Sequence, residues 1–393
     1  MVGNILRLML GRGLSIIRWN NFPRVVDIKH MDNVGFSLHV ALFLVYHEEK
    51  SRCPSDIPLY EGELSWSDKK IDRLYIMKQI IFSSLSDIIL SDINSGTKGY
   101  IQKSDGAIFE KLYTKAFDYI YSFEGGNLLK EDMRQTLADT SHPLEDKIIF
   151  AAKKYAGYTE AMTNARVFSE MYEVPIWEIE SQLQSASKNL SSLRFLLEDS
   201  DAQKYLSHVQ RLSFAMRWNQ YQRIIPISVM SHKVIVAYLA YIIGTHGNTG
   251  GKTSDITEMM MRAIYHDVPE VITGDIITPT KKAVPGFVEL LEKVETDMLD
   301  DYLFSYISPE YKNYIQSYML EPFEGELGKK VKYADNLSAL FEAKLEVIHG
   351  NKNFIEVTKT MMKHNSQIQN EAVEYILKDM TLYFEEIKED ILR

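Results

Sequence analysis

Between Ala263 and Lys281 the sequence sets His266 beside Asp267, with Glu270 four residues past the histidine and Asp275 nine past it. An imidazole and three carboxylates in so short a segment can hold a divalent cation or move a proton. Taken out of water, such groups need partners or a metal. The plainer alternative is a histidine that only hydrogen-bonds the neighbouring acid. The residues ahead of the pair form a helix: Ile256, Met259, Met260, Ala263 and Ile264 recur at helical spacing, and Asp255 with Glu258 reads as a capping box at its start. His266 and Asp267 therefore arrive at the buried end of a packed helix. Pro269 disfavours helical geometry at Val268 and turns the chain there.

Nitrogen and oxygen ligands of this kind suit zinc, manganese or cobalt, and two more candidates lie elsewhere. His232 opens an apolar helix that continues through Ala237. Asp335 lies in a helix in which Leu327, Val331, Ala334, Ser338, Phe341 and Leu345 form the inward stripe, so its carboxylate borders the core. That is costly unless it is paired or metal-bound. Each also has an ordinary explanation: His232 as a helix cap, Asp335 as a partner of Lys329 or Lys332.

The elements that must position these residues are helices almost throughout, so the fold class is all-α. Loops are signalled at Gly96 to Gly99, Gly125 and Gly126, His246 to Lys252 and Glu324 to Gly328. The chain has 393 residues, enough for two ordinary domains, with 45% hydrophobic and 25% charged residues. No apolar run reaches the roughly 18 to 20 residues of a membrane helix, and no signal-peptide core opens the chain. A cytoplasmic protein without a membrane partner is expected. One cysteine, Cys53, rules out an internal disulfide and a thiolate metal site. A net charge of -10 without basic stripes argues against nucleic acid as a partner, though not against a small anionic substrate. The run Gly247 to Thr253 resembles a phosphate-binding loop, but His246 stands where its first glycine must be and the preceding segment reads as helix, so an inter-helix loop is expected.

The chain also resembles itself. Arg18, Trp19 and Asn20 recur as Arg217, Trp218 and Asn219, each followed by an apolar helical segment. Asp87 to Lys98 runs parallel to Glu270 to Lys281, and Lys154, Tyr155 and Ala156 to Lys332, Tyr333 and Ala334, in the same order. Three matches in order predict two tandem copies of one helical domain, residues 1–195 and 196–393, joined through the helices between Trp177 and Arg211. In this alignment Phe36 faces His232, Ser83 and Ser84 face His266 and Asp267, and Gly157 faces Asp335. The first copy then keeps Arg18, Trp19 and Asp92 but no ligand. His30 and His39 fall out of register and are expected on the surface or in packing.

A histidine, then a His-Asp pair, then an aspartate on separate helices resembles the HD-domain metal-dependent phosphohydrolases. Between about Leu206 and Ile355 the second copy is similar to the bacterial 5'-deoxynucleotidases of the YfbR type. Arg217 and Trp218, His232, the run from Tyr265 to Pro279, and Lys332 to Asp335 carry the resemblance. It implies one divalent cation, whether cobalt, manganese, zinc, nickel or magnesium, on His232, His266, Asp267 and Asp335. Glu270 would position or deprotonate the attacking water, and Arg217 would orient the phosphate. Trp218 would pack on the sugar where a ribose 2'-hydroxyl does not fit. Asp275, Ile276, Ile277 and Thr278 would line the nucleotide pocket, with Asp275 at the 3'-hydroxyl, and Asp267 and Asp335 would face the substrate as well. The family is homodimeric, which implies a pseudo-dimer of the two copies within one chain and leaves further pairing of chains open. One departure stands out: Ser231 precedes the first histidine where the family usually has an acid. The activity implied is removal of the 5'-phosphate from deoxyribonucleoside monophosphates. The alternatives are hydrolysis of nucleoside triphosphates or another phosphoester, and a nucleotide-sensing or scaffold protein without turnover.

Overall fold

Every residue from Val229 to Ile243 is buried in the helix Val229–Thr245, and a helix apolar on all sides must lie inside a bundle. The computed structural model describes residues 1–52, 70–91, 93–246, 252–274 and 283–384. Its helices are α1 (Val2–Arg7), α2 (His30–Arg52), α3 (Arg73–Ile89), α4 (Ser95–Tyr121), α5 (Asn127–Ala138) and α6 (Pro143–Ala165). Next come α7 (Ser169–Ser187), α8 (Ser191–Glu198), α9 (Ser200–Gln210), α10 (Val229–Thr245), α11 (Thr253–Tyr265) and α12 (Glu270–Thr273). The chain continues through α13 (Phe287–Tyr302), α14 (Pro309–Leu320), α15 (Gly325–Ile348), α16 (Ile355–Asn365) and α17 (Glu371–Asp379). Among the described residues extended structure is confined to two isolated bridges. No described helix is long and apolar enough to cross a membrane.

Two buried helices organise the packing. α2 packs against α3, α6 and α8, α10 packs against α11 and α15, and α2 and α10 pack on each other. Where they cross, a Cβ added at Gly35 would stand 2.8 Å from the Met230 carbonyl oxygen, so only glycine allows this approach. Polar contacts line the same seam. Ser228 and Ser231 donate their hydroxyls to the buried Asp32 carboxylate, and Lys233 Nζ donates to His39 Nε2 at 2.8 Å. The apolar residues of both halves form one continuous core.

Ahead of α2 and α10 the backbone makes the same hook. The Arg18 amide donates to the Ile28 carbonyl and the Arg217 amide to the Ile227 carbonyl, both at 2.9 Å. Trp19 and Trp218 then take left-handed φ values of 56° and 63°. For a side chain of this size that costs on the order of 1–3 kcal/mol, so each tryptophan needs an anchor. Trp19 Nε1 donates to Glu160 Oε2 at 2.9 Å and Trp218 Nε1 to Glu342 Oε2 at 2.7 Å. Tyr172 packs on Trp19 at 5.3 Å, and Phe354 packs on Trp218 at 5.4 Å.

Superposing the two stretches on these paired contacts gives other pairs than the sequence alignment does at two positions. Asn33 Nδ2 donates to Glu160 Oε1 at 2.7 Å, as His232 Nδ1 does to Glu342 Oε1 at 2.7 Å, so Asn33 rather than Phe36 stands opposite His232. With Glu160 opposite Glu342, Asp335 faces Lys153 rather than Gly157, a slip of one helical turn.

Other expectations are corrected as well. Gly96 to Gly99 lie inside α4, which Asn94 caps by accepting from the Thr97 amide at 2.8 Å. Gly328 lies inside α15, where an added Cβ would meet the Phe323 backbone at 2.2 Å, so it is a packing glycine. Asp255 does not cap α11, which begins at Thr253. Glu258 instead accepts from Arg262 Nε at 2.8 Å and the Tyr318 hydroxyl at 3.0 Å. His30 and His39, expected on the surface or in packing, are both buried and so belong to the packing. The boundary drawn between residues 195 and 196 falls inside α8. Cys53, Asp92, the glycine-rich residues 247–251 and the acidic tail beyond residue 384 lie outside the described residues.

Candidate metal centre

Three elements bring the candidate ligands to one place. His232 sits in the first turn of α10, whose start is fixed by Ser228 Oγ accepting from the Ser231 amide at 2.9 Å. His266 closes α11, and Asp267 lies in the turn that Pro269 directs into α12. Asp335 comes from α15. One ligand atom from each of His232, His266 and Asp267 lies within 4.8 Å of the other two. Asp335 Oδ1 joins them at 3.2 Å from His232 Nε2. Side-chain exposure is 0% at His232, 16% at Asp267 and 15% at Asp335.

Both imidazoles are oriented from behind. His232 Nδ1 donates to Glu342, and His266 Nδ1 donates to the Ala263 carbonyl at 2.8 Å. With Nδ1 so engaged, each ring turns Nε2 toward the shared space. His266 Nε2 and Asp267 Oδ2 stand 3.1 Å apart, yet both are buried atoms without a hydrogen-bond partner. Buried polar atoms are normally satisfied, so two orphans facing each other beside a second imidazole fit a cation-binding group.

The electrostatics agree. Burial opposes charge on Asp267, but His266, His232 and Arg217 outweigh it and hold the carboxyl below the usual range. Asp335 is drawn down against burial in the same way by His232 and Lys332, whose Nζ donates to it at 2.7 Å. Burial and Arg217 push the His232 pKa down, while Glu342 and Asp335 more than compensate and raise it to about 9. The group thus gathers enough negative charge to keep a proton on a fully buried imidazole, charge that a cation can use instead.

Arg217 and Trp218 border this group. Arg217, 15% exposed, places Nε 3.3 Å from Glu342 Oε2 and Nη1 3.5 Å from Asp267 Oδ2. Glu270 opens α12 one turn past His266, near enough to Arg217 to help raise its pKa. Asp275, Ile276, Ile277 and Thr278 lie outside the described residues.

The buried acids Glu342 and Glu346 escape sequence reasoning. Glu342, fully buried, accepts from Trp218, Arg217 and His232 at once. Glu346 accepts from the amides of Ile224 and Ile225 and from Arg223 Nε, fixing the loop that leads into α10. The available signal was position: Glu342 and Glu346 follow Asp335 at seven and eleven residues, along one face of α15.

Part of the chain is similar to known proteins. A 5'-deoxynucleotidase of Vibrio parahaemolyticus is 26% identical over 183 residues, covering 46% of this chain and 94% of that protein. One from Yersinia pestis is 27% identical over 177 residues, covering 44% of this chain and 88% of its own. The crystal structure of an HD-domain phosphohydrolase from Listeria innocua aligns with a TM-score of 0.42 at 22% identity, over 46% of this chain and 88% of that one. Residues 204–384, which hold every group of the candidate centre described above, match the model of the YfbR-like 5'-deoxynucleotidase family.

Proposed function

We propose that this chain is a metal-dependent 5'-deoxynucleotidase that works through its second half alone. The observation that carries this reading is the pair of buried, unsatisfied atoms His266 Nε2 and Asp267 Oδ2 beside His232 and Asp335. These four residues would hold one divalent cation. Such an ion lowers the pKa of bound water from about 15.7 toward about 7 and neutralises charge on a phosphoryl group.

The chain's own residues do the rest. Arg217 presents a planar fork, anchored by Glu342, to the phosphate oxygens. Glu270, one turn from His266, takes the proton of the attacking water. The water oxygen bonds to phosphorus, the P–O5' bond breaks with its electron pair going to O5', and the proton that Glu270 took passes to O5', so the nucleoside leaves as its alcohol. Trp218, locked by its indole hydrogen bond and by Phe354, forms the wall against the sugar that excludes a 2'-hydroxyl.

The first half is read as a second copy of the domain that has lost its ligands, packed on the active half as a pseudo-dimer. Supporting this are the repeated hook, the two left-handed tryptophans and the two glutamates that anchor them.

The test is phosphate release from deoxy and ribo mono- and triphosphates with Mn²⁺ or Co²⁺, for the unmodified chain and Asp267→Asn. Release from deoxyribonucleoside monophosphates only, abolished by the substitution, is expected. Pyrophosphate or triphosphate as product would assign a different reaction, and binding without turnover would make the protein a sensor.

A further inference from the structure

Lys233 directly follows the candidate ligand His232, yet it is 1% exposed and reaches across the seam between the halves. An ammonium taken out of water needs partners. Among the described residues Lys233 Nζ makes one hydrogen bond, 2.8 Å long, to Nε2 of the buried His39 on α2 of the first half. Burial and Lys233 itself both disfavour charge on His39, so the imidazole accepts as a neutral ring. Burial disfavours charge on Lys233 too, and the groups that favour it are Asp267 and Glu270, which act on it across space and not through a hydrogen bond.

His39 makes a second contact beside the metal group. Its ring meets that of Tyr265 edge-on, with centroids 5.2 Å apart. Tyr265 directly precedes His266. One side chain of the first half thus touches the neighbour in sequence of each candidate ligand histidine. The hydrogen bond to it has a consequence for the ligands. A lysine carries its charge on a flexible four-carbon stem. Without the acceptor at His39 the buried ammonium would be left unsatisfied, and Asp267 and Glu270 are the opposite charges that act on it. An ammonium paired with Asp267 would occupy lone pairs that a divalent cation needs.

We propose that His39 is a positioning residue supplied by the first half, which holds the Lys233 ammonium back from Asp267 and Glu270 and so keeps it from competing with the divalent cation. His39 touches neither cation nor phosphate and acts through Lys233. The inference rests on the metal-centre reading given above and not on the identity of the substrate.

The test is the affinity of the full chain for Co²⁺, read by competition with a chelating dye and without nucleotide. In His39→Leu affinity is expected to fall at least about tenfold, whereas His39→Gln, whose side-chain oxygen can accept from Lys233, stays within about threefold of the unmodified chain. The deciding variant is His39→Leu combined with Lys233→Met, which removes the competitor together with its acceptor. Affinity is expected to return to within about threefold of the unmodified chain. A purely structural role for His39 leaves this double variant at least as weak as His39→Leu, and that result overturns the proposal, as does full affinity in His39→Leu itself. Thermal unfolding shows whether each variant is folded. Should His39→Leu not fold, Lys233→Met decides: affinity no weaker than that of the unmodified chain is expected, and a loss of about tenfold or more overturns the proposal. An unmodified chain that binds no cation overturns the metal reading and this inference together. A wrong substrate class would move none of these values.

Discussion

Glu342 shows how one side chain can hold a site together. Its two oxygens take the His232 imidazole, the Trp218 indole and the Arg217 guanidinium, with no exposure to solvent. Replacing it by glutamine keeps the size but removes the charge that favours Nδ1–H on His232 and pairs with Arg217. Glu342→Gln is expected to weaken divalent-cation binding about 10- to 100-fold, read by competition with a chelating dye. A different residue sets part of the acid sensitivity. His47 lies against the rings of Phe43 and Phe195, at 4.3 and 4.5 Å. Burial, with a smaller push from Lys50, lowers its pKa from 6.5 to about 4. The unfolded chain therefore binds the proton more readily, so stability is complete above pH 6.5 and is lost as pH falls toward 4, by up to roughly 1.4 kcal/mol per pH unit. His47→Phe should flatten the urea-midpoint profile across that window. The four candidate ligands were legible because histidines and acids at the ends or borders of apolar helices are conspicuous. Glu342 was not, because the partners that account for its burial lie more than a hundred residues away and a lone glutamate on a helix reads as solvated.

Among the elements, the crossing of α2 and α10 sets the geometry on which both halves depend. Gly35 has no room for a Cβ against the Met230 carbonyl, and His232 lies two residues beyond that carbonyl. Gly35→Leu should force the helices apart, costing on the order of 1–3 kcal/mol in chemical denaturation and shifting the first turn of α10. Helices α10, α11 and α15 follow from their apolar stripes, since a period near 3.6 is visible without knowing the partner. The register of α6 against α15 does not. The stretch Lys154 to Ala156 matches Lys332 to Ala334 by composition, and a shift of one turn presents nearly the same apolar face, so only the glutamate contacts to each tryptophan distinguish the two registers. Local signals misled where packing competes with them: Gly328 is a glycine within a helix because Phe323 leaves no room for a Cβ, and Glu258 is drawn to Arg262 and Tyr318 instead of to a cap.

For the molecule as a whole, the second half buries α10 against the first, through apolar residues together with the Asp32 and His39 contacts. A fragment spanning residues 200–384 would expose that face and leave Ser228, Ser231 and Lys233 without their partners. It is expected to self-associate or aggregate, which sedimentation velocity would detect, while the full chain keeps the face covered within one polypeptide. The seam also contains an exchange of roles. Asp32 immediately precedes Asn33, as Ser231 immediately precedes His232, so the two stand at matching places in the halves, and one carries the acid while the other gives it a hydroxyl. Were both acidic, two carboxylates would be buried face to face. Within one polypeptide the two positions need not be alike, so a change at either would have to be met by a change at the other.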